Sequence, residues 1–161
     1  MSEDRKKGAV VHIPKMENKK AFFNYEIIEK TEAGMAIVGS EVKSLRQGGA
    51  DLTGAYARIS NNECWLVGCN IAPYQQAGIS NHEPLRKRKL LLHKRQIKKI
   101  VGKLQQKGLT LVPLRIYFND RGIAKIELAI ARGKRQYDKR EKIKKRQQKS
   151  DIDKSMRKYK K

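Results

Sequence analysis

The chain has 161 residues, with 38 Lys or Arg against 16 Asp or Glu and a formal net charge of +22. That length supports one compact core with an extension and excludes two ordinary domains. So large a positive charge exceeds what solubility requires and makes a polyanion the expected partner; an acidic membrane surface is disfavoured, because the chain has neither a long apolar run nor a strongly amphipathic basic helix with aromatic anchors.

Residues 1–17 mix charge with few large apolar side chains and are expected to form a flexible segment in which His12 is solvated. Charges stand where a signal peptide needs an unbroken apolar stretch, so a cytoplasmic location is expected. Apolar alternation begins at Phe23 and runs through Tyr25 and Ile27, which predicts the first strand. A turn at Ala33-Gly34 is expected to lead into the apolar run 35–38, and Arg46-Gln47-Gly48-Gly49 to break the chain before a strand at 55–59. Asn61-Asn62 then signals a hairpin into a strand at 63–67. Cys64 and Cys69 have neither a disulfide framework nor the Cys-x-x-Cys spacing of a zinc site, which predicts two reduced, buried thiols. Residues 72–84 contain Pro, Gly and Asn without periodicity and read as a surface loop, long enough to carry function.

The segment 90–107 places Ile97, Ile100, Val101 and Leu104 at helical spacing, with Gly108 as its stop, and is expected to be the main helix. Strands at 109–118 and 123–131 follow, joined by the turn Asn119-Asp120-Arg121-Gly122. Ile126, Leu128 and Ile130 alternate with Lys125, Glu127 and Ala129, which predicts one buried and one open face. About six short strands and one main helix fit either a closed antiparallel barrel or an open sheet packed on the helix; closure removes exposed edges, and the barrel is the expectation for a body spanning 18–132.

After Arg132 the character changes. Residues 133–161 hold fourteen Lys or Arg and four Asp or Glu, a net of +10. Such a tail cannot bury enough apolar surface to fold alone, yet its residues favour helix, and Asp138/Lys142, Glu141/Lys145 and Asp153/Arg157 have supportive i, i+4 spacing. It is expected to be disordered when free and helical against a polyanion.

No catalytic pattern emerges. A nucleotide-binding enzyme needs a glycine-rich loop between strand and helix, and Gly48-Gly49 reads as a turn instead. The histidines are isolated: His82 is expected to hold its loop by a hydrogen bond, and His93, near the helix start, either faces solvent or touches RNA. A metal-dependent nuclease would need clustered carboxylates, whereas Glu32, Glu41, Asp51 and Asp120 stand singly, with Asp51 and Asp120 suited to caps and turns. Basic residues are grouped, at Lys19-Lys20, at 86–89 and at 132–135, as phosphate binding requires. Of the aromatics, one of Phe22 and Phe23 is expected in the core, as is Trp65, and Tyr137 is the best candidate for stacking on a base.

Several longer motifs carry a resemblance: Asn18-Lys19-Lys20-Ala21 with Tyr25-Glu26-Ile27; Gly39-Ser40-Glu41-Val42-Lys43-Ser44-Leu45-Arg46; Asn81-His82-Glu83-Pro84; Arg88-Lys89-Leu90-Leu91-Leu92; Val112-Pro113-Leu114 with Tyr117-Phe118; and Gly133-Lys134-Arg135-Gln136-Tyr137-Asp138-Lys139-Arg140. In this order and spacing the chain, over about residues 12 to 160, resembles the SmpB family of SsrA (tmRNA)-binding proteins. The resemblance implies an oligonucleotide-binding-type barrel that grips the tRNA-like domain of tmRNA and delivers it to stalled ribosomes lacking a stop codon, without enzymatic chemistry, cofactor or metal. It further implies alanyl-tmRNA with elongation factor Tu as a partner complex and a monomer in solution. Matching positions imply tmRNA contacts at Asn18, Lys19, Tyr25, Glu32, Leu91, His93, Lys125, Arg132 and Lys134. The tail residues Tyr137, Asp138, Lys139, Arg140, Lys142, Lys144, Lys145 and Arg146 would meet the decoding centre and the empty mRNA channel. The sequence departs from the family's habit at Phe23 (often His), His93 (commonly Asn) and Arg132 (usually Lys).

Overall fold

The computed structural model describes residues 15–159; His12 and the remainder of the N-terminal segment through residue 14 lie outside the described residues. In chain order the elements are β1 (Met16–Glu17), α1 (Lys19–Asn24), β2 (Tyr25–Met35), α2 (Gly39–Arg46), β3 (Ala50–Asp51), β4 (Tyr56–Ser60), β5 (Glu63–Val67), β6 (Asn70–Ile71), a 3-10 segment (Gln75–Ser80), β7 (Arg88–Leu91), α3 (Lys94–Leu104), β8 (Leu109–Phe118), β9 (Ala124–Gly133) and α4 (Gln136–Tyr159).

Strands β8, β4, β5, β7, β2 and β9 pair in that order, and β9 pairs back onto β8, so six strands close into an antiparallel barrel. Closure satisfies the edge groups that so short a sheet would leave to water. The seam is thinnest between β4 and β8, where Ala57↔Leu111 is the single registered pair. The hairpin between β4 and β5 turns on Asn61 and Asn62, both at positive φ (51° and 58°), the backbone that a two-residue loop needs to match strand twist. The mainly β class and the barrel of about six strands are borne out.

Inside the barrel Leu66, Leu111, Ile116, Ile126, Leu128 and Ile130 are buried, and Ile100 of α3 and Leu45 of α2 join the same cluster. Helix α3 sits on the barrel through Ile97 and Ile100 and is tied to β2 by Lys99 and Lys103, which both donate to Glu29.

Five local expectations are corrected. The first strand starts at Tyr25 because Asn18 caps a short helix ahead of it, its Oδ1 accepting from the Ala21 amide at 3.0 Å. On that helix Ala21 is buried, whereas Phe22 and Phe23 are both exposed, at 40% and 38%. No turn occurs at Ala33-Gly34, since β2 runs straight through to Met35, held between β7 and β9. Residues 88–91 form a strand, because Cys64↔Leu90 and Leu66↔Arg88 pairing overrides helix propensity; α3 starts only after His93. The outer face of β9 is open only in part: Ala129 and Ala131 lie buried with Val112 and Leu114 in one cluster with Ala21 of α1, the alanines being small enough to admit the helix closely.

Proline 113, which cannot donate to a ladder, falls where the β8–β9 register shifts between Pro113 and Arg115. Pairing of the body begins at Met16, two residues before the expected start at 18, and β9 continues to Gly133. The helix-favouring tail appears as one helix of 24 residues, α4.

Candidate nucleic-acid interface

The expected contact residues fall into two groups joined by the β2–β9 pair. At one end, register sets Leu91 of β7, Gly34 of β2, Lys125 of β9 and Tyr117 of β8 in a single row across four strands. Cross-strand partners point to the same face, so Gly34, lacking a side chain, makes a notch between Leu91 and Lys125. A Cβ at Gly34 would lie 3.3 Å from the Leu91 Cβ. Two residues back along the same face, Glu32 accepts from the Tyr117 phenol and from Lys125, whose Nζ is 3.2 Å from Oε1.

The hydrogen bond from Tyr117, then that from Lys125, holds the Glu32 carboxyl below the usual carboxylate range. Burial, followed by the hydrogen bond to Glu32, pushes the Tyr117 phenol up to about 12. Glu32 is thus a fixed anion with open lone pairs on an otherwise basic rim, suited to accept from a base amino group or a 2′-hydroxyl. Leu91 is 54% exposed, and His93 stands exposed at the start of α3, its amide donating to Gln96 at 2.9 Å. Glu32, Leu91, His93 and Lys125 line one cleft over Gly34. Tyr117 lay inside a recognised motif, but its spacing gave it no role; only the pairing of distant strands brings it to Glu32.

At the other end, Lys19 lies exposed on α1 and Tyr25 packs half-buried on the small outer cluster. Tyr25 pairs with Gly133 and Glu26 with Arg132, so Arg132 emerges beside α1. Lys134 is bound into this end, its amide donating to the Asn24 carbonyl at 2.9 Å and its Nζ to the Phe22 carbonyl at 3.1 Å. Asn18 is buried, and its amide nitrogen donates to the carbonyls of Leu52 (2.9 Å) and Pro113 (3.1 Å). With Oδ1 also engaged at the helix cap, Asn18 positions α1 and the lysines on it.

The basic run 86–89 does not form a surface patch. Arg88 is fully buried and donates to Glu41, to the Cys69 carbonyl at 2.7 Å and to the Pro84 carbonyl at 2.9 Å. Arg86 also grips Glu41, Lys89 pairs with Glu63, and Lys87 is the exposed member of the run. Glu41 is therefore an interior anchor for α2 and the 72–87 loop. His82 holds that loop as expected: its Nε2 donates to the Ile71 carbonyl at 3.1 Å and its Nδ1 is hydrogen-bonded to the Ser40 hydroxyl at 2.9 Å. Asp51 accepts from the Thr53 amide at 2.8 Å, a turn cap, while in the β8–β9 turn Asn119, rather than Asp120, makes the closing bonds.

Trp65 is only half-buried, since Cys64 and Leu66 take the inward positions. Both cysteines are buried and free, and burial pushes each thiol up to about 11. Among the described residues no three His, Cys, Asp or Glu gather as metal ligands, and no helix is long and apolar enough to cross a membrane. In α4, Arg140 and Lys144 are exposed, while the side chains of Tyr137, Asp138, Lys139, Lys142, Lys145 and Arg146 lie outside the described residues.

A closed small barrel with cations and an exposed leucine around a notch on its outer face, followed by a basic helix, is the build of a nucleic-acid-binding module. The profile of the family described as SmpB protein matches residues 15–158. An SsrA-binding protein of Trichodesmium erythraeum is 54% identical over 144 residues, which cover 89% of this chain and 92% of that one. Another, from Thermus thermophilus, is 54% identical over 132 residues, covering 82% and 92%. A solved chain from "tmRNA-SmpB: a journey to the center of the bacterial ribosome" superposes with a TM-score of 0.64 at 51% identity, over 81% of this chain and 94% of that chain. The chain belongs to the SmpB family.

Proposed function

We propose that this chain is a trans-translation adaptor: it binds the tRNA-like domain of tmRNA and delivers it to ribosomes stalled without a stop codon. The observation that carries this reading is the identity of about half of all positions, over nearly the whole length, to proteins named for binding SsrA RNA; the likeness to a chain solved with tmRNA on the ribosome supports it. The protein makes and breaks no bonds itself, and works as a monomer in the cytoplasm together with the alanyl-tmRNA complex of elongation factor Tu.

The barrel holds the RNA. Lys19, Lys125, Arg132 and Lys134 supply cations for phosphates, Leu91 and Tyr25 supply apolar surface, and His93 and Glu32 supply polar contacts, while Asn18 keeps α1 in place. The residues 133–161 are the ribosome probe. Their helix forms fully when Tyr137 to Arg140, Lys142 and 144–146 lie along the decoding centre and the empty mRNA channel, where the polyanion neutralises a segment whose net charge of +10 otherwise opposes order.

The test is recovery of RNA bound to the affinity-purified protein, followed by sequencing. Dominant enrichment of tmRNA is expected; ribosomal RNA alone, at one protein per ribosome through high-salt washing, would assign the chain to a structural ribosomal component instead.

A further inference from the structure

The notch over Gly34 opens into a larger groove of about 700 Å³, and its second wall is the β8–β9 turn. That turn is held rigidly. Asn119 Oδ1 accepts from the amides of Arg121 at 3.2 Å and Ile123 at 2.8 Å, the Asn119 amide donates to the Ile123 carbonyl at 3.0 Å, and the Gly122 amide donates to the Asn119 carbonyl at 2.9 Å. Gly122, at φ 71°, supplies the left-handed residue that the turn requires. The backbone that carries Arg121 and Ile123 is thereby fixed.

Ile123 is 52% exposed and lines the groove with Leu91, 54% exposed, on a different element. Large apolar side chains left half in water on two sides of one groove mark a surface that is covered in use. The charges define what covers it. Lys89 and Lys125 on the rim have Glu63 and Glu32 as partners, but Arg121 and Lys94 have no acidic partner among the described residues, so the groove carries uncompensated positive charge next to apolar flanks. That combination suits a nucleotide, whose base is apolar on both faces and whose phosphate is an anion. The volume lies within the ~300–1,000 Å³ range that encloses small ligands, room for one nucleotide and too little for a duplex.

We infer that this groove takes a single unstacked nucleotide from a loop of the bound RNA, its base between Leu91 and Ile123 and its phosphate on Arg121. This rests on the RNA-binding reading above and extends it to residues 121 and 123. Preorganisation matters here: the turn backbone is set before binding, so the ordering cost is confined to the two side chains.

The experiment titrates full-length protein against the transcribed tRNA-like domain of tmRNA, and against an unrelated structured transcript, at several salt concentrations. It compares the parent with Arg121→Ala, Ile123→Ser and, as a control on an exposed α3 lysine outside the groove, Lys98→Ala. Arg121→Ala is expected to weaken binding about tenfold and to flatten the salt dependence by about one phosphate contact. Ile123→Ser is expected to weaken binding about tenfold with the salt dependence unchanged, and to expose one loop nucleotide to chemical probing. Lys98→Ala stays within about twofold. If the parent prefers the tRNA-like RNA but both groove variants match it, the inference is overturned and the RNA-binding reading stands. Unchanged RNA binding with lost delivery to ribosomes would give the groove to a protein and overturn the inference equally. Should the parent show no preference between the two RNAs, the underlying reading itself fails.

Discussion

Arg88 and Glu41 meet with both side chains wholly shielded from water, Nε to Oε1 at 2.8 Å. A carboxylate and a guanidinium from distant parts of the chain thus share one interior site, and each is unaffordable there without the other. Glu41→Ala leaves the buried Arg88 uncompensated and is expected to cost about 3–5 kcal/mol, read as a lower urea midpoint. A cost under about 1 kcal/mol would mean that water reaches the site.

Acid acts on the same carboxylate. Burial pushes Glu41 up, but hydrogen bonds from Arg86, the Val38 amide and Arg88, with the Arg88 charge, outweigh it and leave the carboxyl below its ordinary 4.5. A group with a depressed folded pKa contributes stability that is complete above its unfolded value and disappears as pH falls through the folded one. Denaturation monitored between pH 7 and 2 should therefore show a loss below about 4.5 that is smaller in Glu41→Gln; an identical acid limb in the two proteins would place the loss elsewhere.

Tyr117 and Lys125 hold Glu32 ionised and aimed outward. If that anion reads RNA donors, Glu32→Ala should lower affinity for the tRNA-like domain by about ten- to a hundredfold, and Tyr117→Phe by less, ~3- to 10-fold, since the carboxylate persists but swings more freely. Because the carboxyl lies below the usual range, the parent's binding should not vary through this group between pH 8 and about 5. Equal binding by Glu32→Ala and the parent would remove Glu32 from the interface.

Gly34 is open space by necessity, since an added Cβ meets Leu91 at 3.3 Å. Gly34→Val should fill the notch between Leu91 and Lys125 and lower RNA affinity at least ~10-fold, while circular dichroism keeps the barrel's signature. Full binding by this variant would show that the RNA never approaches the notch.

Deleting residues 138–161 should leave tmRNA affinity within about threefold of the parent, because the cations placed on the barrel remain, yet abolish tagging of stalled chains. A loss of affinity as large as that from the barrel variants would return the tail to the tmRNA surface.

Much of this was legible in the order of residues. The hairpin at Asn61-Asn62, the β8–β9 pair with its Asn119–Gly122 turn, the buried cysteines, the holding role of His82 and the basic, helix-favouring tail all follow from local chemistry that the fold preserves. Three of the misreadings share one physical cause, namely pairing between distant segments. Leu90 looks helical until Cys64 pairs with it, Ala33-Gly34 looks like a turn until β7 and β9 flank it, and Arg88 looks like a surface charge until Glu41 meets it in the interior. Phe22 and Phe23 misled by alternation, because the Asn18 cap turns that stretch into a helix before the strand begins. At the candidate interface, motif positions gave Glu32, Leu91, His93 and Lys125, which do line one cleft, but neither Tyr117 nor the turn carrying Arg121 and Ile123 could be tied to them without strand register.

Strand β9 begins beside the Gly34 notch and ends where the basic tail departs. Nine residue steps at ~3.3 Å give about 30 Å along a strand clamped on both sides by β2 and β8. It is a ruler: whatever the barrel grips and whatever the tail enters are kept a fixed stride apart, and lengthening this strand would put the two ends out of step even with every contact residue intact.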